Sequence, residues 1–259
     1  MGRAYPRVIG AAREPSWAFF EIFLPLMGIA AYIFYYRSLG ADPSFEGFVV
    51  LGGAMIAFWL NVLWGMASQF YWEKETGNMQ LFMISPMSRM ALLAGMALGG
   101  MLSAGLRALS TLVLGILIFN VRMTVVEPLL LVAVFLVTLI AIYGMGMMFA
   151  SLFMLYGRDA WNISNLMQEP IYLVSGFYFP VRSLGIWISA AASIIPITLG
   201  LDAMRQELFG PVANGFLPAA TELAILCVLA VMFLVLARYS LRYMENLGRR
   251  EGRLTLRWQ

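Results

Sequence analysis

The sequence predicts an all-α integral membrane protein. It has six transmembrane helices, an interfacial helix at the N-terminus, a short cytoplasmic helix after the second span, and a re-entrant hairpin before the last span. Three observations carry this expectation. The 259 residues are 61% hydrophobic and only 12% charged, against about 45–50% apolar and about 25% charged in soluble domains. Apolar runs recur at the roughly 20 helical residues that cross a hydrocarbon core of about 30 Å. Arginine and lysine gather on one side of the resulting topology.

The six runs cover residues 17–36, 48–70, 90–119, 129–155, 160–179 and 216–239. With the N-terminus inside, twelve of the 17 basic residues fall on the inner side and four on the outer, while Arg107 lies within the membrane. Both termini are then expected in the cytoplasm of a cell whose inner membrane holds the chain. A seventh apolar run, 184–201, would place the basic tail at 240–259 outside if it also crossed. It is short, flanked by Arg182, Asp202 and Arg205, and broken by Pro196. Residues 180–210 are therefore expected to dip in from the outer face and return, covered by protein or by a water-filled cavity. Residues 1–15 set Arg3, Arg7 and Glu14 opposite Tyr5, Val8 and Ile9, as in a helix lying in the interface. Pro6 and Pro15 interrupt the stretch, which argues against a secretory leader.

Several functions are excluded by what is missing. Histidine is absent, which removes Ser-His and Cys-His nucleophilic sites and His-ligated metals. The single lysine, Lys74, follows Trp72 and Glu73, not the glycine-rich loop that a nucleotide-binding lysine needs. No catalytic residue, metal or cofactor is expected on this chain. The single cysteine, Cys227, sits in an apolar run and reads as a small buried hydrophobe.

Charged groups at membrane depth are costly and usually face the protein interior. Glu21, Arg107, Glu169 and Glu222 are such groups. Helical rise places Arg107 near the level of Glu222, and Glu169 near that of Asn61, so both pairs are geometrically open. Asn61, Arg107 and Glu169 either line a route or fix helix register. Tyr172, Phe177 and Phe179, with Tyr32, Tyr35 and Tyr36, form aromatic clusters near the outer face. They read as an interfacial belt or as a stacking surface for a ring-bearing substrate. Along the third span, Ala91, Gly95, Gly99, Ser103 and Arg107 form a four-residue stripe suited to close helix packing.

The polar break at 71–89 holds Glu73 and Glu75, then Met79, Phe82 and Met83 at helical spacing. Thr76 is placed to cap that helix and Ser85-Pro86 to end it. Soft Met and Phe side chains on a short cytoplasmic helix suit a groove on a partner.

At these residues the chain resembles ABC-2 type transporter permeases. Glu73, Glu75, Gly77, Ser85 and Pro86 match the family's cytoplasmic loop, although Asn78, Met79 and Gln80 replace its usual Thr-Leu-Glu. Gly176, Pro180, Pro196, Asp202 and Arg205 match its stretch after the fifth helix. The resemblance implies an export permease that pairs with a second copy or paralogue through the first and fifth helices. It also implies cytoplasmic ATPase subunits carrying ATP and Mg, with the loop helix, including Thr76, Gly77, Met79, Phe82, Met83 and Pro86, docked upon them. The apolar interior favours an amphiphilic drug or lipid as cargo. A lipid-linked polysaccharide is the alternative, and a proton-coupled transporter using Glu169 is the alternative from another class.

Overall fold

The computed structural model describes residues 15–67, 73, 76, 77, 88–153 and 157–250. Among them it is helical without strands. The helices are α1 (Pro15–Ser38), α2 (Ser44–Leu60), α3 (Arg89–Phe119), α4 (Pro128–Phe153) and α5 (Gly157–Val174). They are followed by α6 (Ile186–Ala192), α7 (Pro196–Phe209) and α8 (Ala219–Arg250). α2 continues as a π-helical turn, Asn61–Met66.

Local chemistry sets these boundaries. Asp42 Oδ1 accepts the Ser44 N–H at 2.8 Å, satisfying a donor at the start of α2. That bond and the Ser44 hydroxyl hold the Asp42 carboxyl below its ordinary range. The Ser88 hydroxyl caps α3 by accepting from the Ala91 N–H, and Asn120 closes the helix in the left-handed region at φ 55. Pro196 opens α7, and Ile195 before it is held extended.

Among the described residues five helical stretches are long and apolar enough to cross a membrane, Phe19–Ser38, Ser44–Met66, Arg89–Phe119, Pro128–Leu152 and Ala219–Gly248, or six if the bent pair Ile186–Ala192 and Pro196–Ala213 counts as one span. The five stretches are five of the six expected spans. The remaining one is α5, which is shorter and more polar, with Asn162, Asn165 and Glu169 exposed along it. α8 runs unbroken to Arg250, well past the expected span end at 239. Cys227 is exposed on α8, a correction to its expected burial: its side of the helix faces outward, where lipid takes the place of a core.

Contacts fix which helix ends lie together. At the α1–α2 end, Gly47 lies against Phe209 and Val121. There the Thr124 and Val126 N–H groups donate to the carbonyls of Leu208 and Glu207 at 3.0 and 2.8 Å. At the opposite end, Arg89 is ion-paired with Glu245. α6 and the segment Pro196–Ala213 meet at 112°. Gly200 packs on Thr138, ten residues into α4 and so about 15 Å from that helix's start. Phe209 returns to the α1–α2 end. A bend of this size is that of a broken span or of a re-entrant loop.

The expected small-residue stripe on α3 is buried only in part. Gly99 is buried but Gly95 has nothing near it, whereas along the adjacent stripe Gly100, Ala104, Ala108, Thr111 and Gly115 are all buried. Gly115 faces Val50, so it is this neighbouring stripe that lets α2 approach α3.

Candidate functional site

α1, α2 and α3 border an open-sided cavity of about 650 Å³, lined by residues that include Phe20, Glu21, Leu24, Leu60, Asn61, Trp64 and Arg107. Arg107 on α3 is ion-paired with Glu21 on α1. The Arg107–Glu222 pairing left open by the levels is not formed: α1 packs against α3, while Glu222 is buried at the start of α8 with Gln206 and the Leu217 N–H. Asn61 accepts a hydrogen bond from the Tyr143 hydroxyl at 2.9 Å, not from any group near Glu169. Glu169 is exposed on α5, and its side chain accepts from neighbouring Gln168 at 3.4 Å. Glu169 therefore stands apart from the cavity that Asn61 and Arg107 share. The π-helical turn begins at Asn61 and carries Trp64, whose indole N–H donates to Gln168 at 2.8 Å, tying α2 to α5. Such wide turns often mark functional positions.

A second cluster secures the bent α6–α7 segment. α5 ends at Val174, short of the expected 179, and Gly176 turns the chain at φ 67. The irregular backbone that follows is covered by protein, with Ser175 and Phe177 buried. Arg205 on α7 is 1% exposed. Its guanidinium donates to the carbonyls of Phe48, Phe177 and Phe179 at 3.1, 2.9 and 3.0 Å, and lies over the Phe48 ring at 5.2 Å. Unwound backbone at membrane depth needs partners of this kind. Gly52 makes the approach feasible, because a Cβ there would sit 1.6 Å from the Phe177 carbonyl oxygen. Asp202 accepts from the Phe216 N–H at 2.6 Å, joining α7 to the chain entering α8. Pro180 precedes a short 3₁₀ turn, Val181–Leu184, and Pro196 makes the bend. The aromatic groups meet nearby: Tyr32 stacks on Tyr178 at 4.0 Å, and Tyr172 meets Phe177 edge-on at 5.4 Å. Phe177 is wholly buried, so it contributes to the core and not to an open surface.

A family profile described as ABC-2 type transporter matches residues 7–209. The chain belongs to the ABC-2 type transporter family. No curated protein matches it in sequence. With its apolar helices, this ABC-2 protein is a multi-pass membrane permease, a transport subunit. Apart from Phe216, both clusters lie within the matched residues. In the permease's polar break, Glu73 is buried and Thr76 donates its hydroxyl back to the Glu73 carbonyl at 3.3 Å. Gly77 follows at φ 77, a backbone geometry that commonly closes a helix C-terminus. Glu75, Met79, Phe82, Met83 and Pro86 lie outside the described residues, as does the expected interfacial helix up to residue 14. Sequence reasoning singled out Glu21 as a charge at membrane depth but not as the partner of Arg107, and it missed Gln168 beside Glu169; polar residues inside apolar helices were the available signal for both.

Proposed function

We propose that this permease is the membrane-spanning subunit of an ATP-driven exporter. It moves an amphiphilic drug or lipid-like substrate out of the cytoplasm or inner leaflet. ATP and Mg act on separate cytoplasmic ABC ATPase subunits, and residues 71–89 receive their motion. The observation that carries the cargo reading is the cavity: an ion pair and an asparagine set among apolar side chains, between helices that face lipid. A site with that lining suits a molecule with a polar head and an apolar body. The excess of arginine at the Arg89 and Glu245 end supports a cytoplasmic placement of that end and of both termini.

The permease acts as a dimer with a second copy or paralogue. α5 exposes Asn162, Asn165 and Glu169, and an ionisable side chain turned toward lipid is costly. A facing subunit on α5 removes that cost.

The test is copurification with a candidate ABC ATPase. Glu75→Ala and Phe82→Ala are expected to weaken the complex or to uncouple ATP hydrolysis from transport. A complex and a coupling ratio identical to those of the unmodified permease would refute docking through this loop.

A further inference from the structure

The cavity between α1, α2 and α3 has a mixed lining. Phe20, Leu24 and Leu60 are apolar, while Glu21, Asn61 and Arg107 are polar. Its volume of about 650 Å³ falls in the range of roughly 300–1,000 Å³ common for small-molecule sites. The Arg107–Glu21 contact uses Nη1 of one and Oε2 of the other. A guanidinium has five N–H donors and a carboxylate about four acceptor positions, so most of both remain. The side chains of Arg107 and Glu21 stay 20% and 31% exposed, beside outward-facing Phe20 and Leu24.

Charge of both signs therefore borders a space walled by hydrocarbon. An occupant bearing only an anion would draw Arg107 from Glu21 and leave the carboxylate uncompensated. One bearing only a cation would strand Arg107. Either outcome is costly where water is scarce. A head that carries both signs can exchange with the pair without that cost. Its anionic group meets the planar fork of Arg107, its ammonium meets Glu21, and its tails lie along Phe20 and Leu24.

We propose that this cavity binds a zwitterionic amphiphile whose head joins an anionic group to an ammonium, as in phosphoethanolamine. The inference deepens the permease reading and rests on it. It is tested on the full-length permease alone, in nanodiscs holding phosphatidylethanolamine and phosphatidylglycerol in equal parts. The lipid that stays bound after extraction is measured by mass spectrometry.

Phosphatidylethanolamine is expected to be enriched. Arg107→Gln is expected to lower its retention by about tenfold, the loss of one charged partner. Glu21→Gln is expected to reverse the preference toward phosphatidylglycerol, a change of sign that misfolding cannot produce. Unchanged lipid selection in both variants would overturn the proposal. Excess soluble phosphoethanolamine should leave the lipid in place; displacement would overturn the amphiphile in favour of a small zwitterion. No ATPase or nucleotide is present in this assay. Loss of ATP-driven export with lipid selection intact would thus count against the exporter reading alone, and the converse against this site alone.

Discussion

Arg205 shows how one buried charge organises a segment. Its guanidinium satisfies carbonyls on α2 and on the unwound chain after α5. Arg205→Met would leave these acceptors unpaired, at about 1–3 kcal/mol for each buried group lost. The expected result is a marked fall in the thermal unfolding midpoint of the detergent-solubilised protein, read by fluorescence-detected size exclusion. An unchanged midpoint would mean that the carbonyls find other donors. Arg205, Asp202 and Pro196 could be singled out from sequence because they flank or break a short apolar run, and Gly176 and Pro180 through the resemblance to the ABC-2 stretch after the fifth helix. The partner of Arg107 could not. Glu21 lies 86 residues away, and the pairing depends on how α1 crosses α3, which no local period encodes. The same holds for Asn61, whose partner Tyr143 is 82 residues distant. Estimating depth from helical rise gave levels along the membrane normal, but not which helix stands beside which.

At the scale of elements, apolar length marks the helices well, because a span must satisfy its own backbone and bury itself in hydrocarbon. α5 departs from the pattern. It stops at Val174, and its Asn162, Asn165 and Glu169 turn outward. That departure is the element-level argument for a dimer. In a Cys227→Ser background, Asn165→Cys is expected to form a disulfide-linked dimer in native membranes under mild oxidant. Val228→Cys, on the exposed side of α8, is expected to stay monomeric. Equal cross-linking at both positions, or none at Asn165, would count against an α5 seam. The α3 stripe teaches a related lesson. Small residues at four-residue spacing were plain in the sequence, but two adjacent stripes share the helix, and only packing against Val50 selects the buried one.

For the whole molecule, hydrogen bonds and ion pairs gather α1, α2, α3, α7 and α8 at defined ends. The bent α6–α7 pair packs on α4 and on the chain after α3. The expectation of a re-entrant path comes from the charge count, because a seventh crossing would move the basic tail to the other side of the membrane. The drive behind transport is legible only indirectly, since the chain has no glycine-rich nucleotide loop and its family supplies transport subunits. The most direct test of the exporter reading is flux. The permease and its ABC ATPase are reconstituted in proteoliposomes with a fluorescent amphiphile, and movement is followed with ATP and Mg, without nucleotide, and under an imposed proton gradient. Movement that requires ATP and Mg and ceases without the ATPase is expected. Movement driven by the proton gradient with the permease alone would contradict the account.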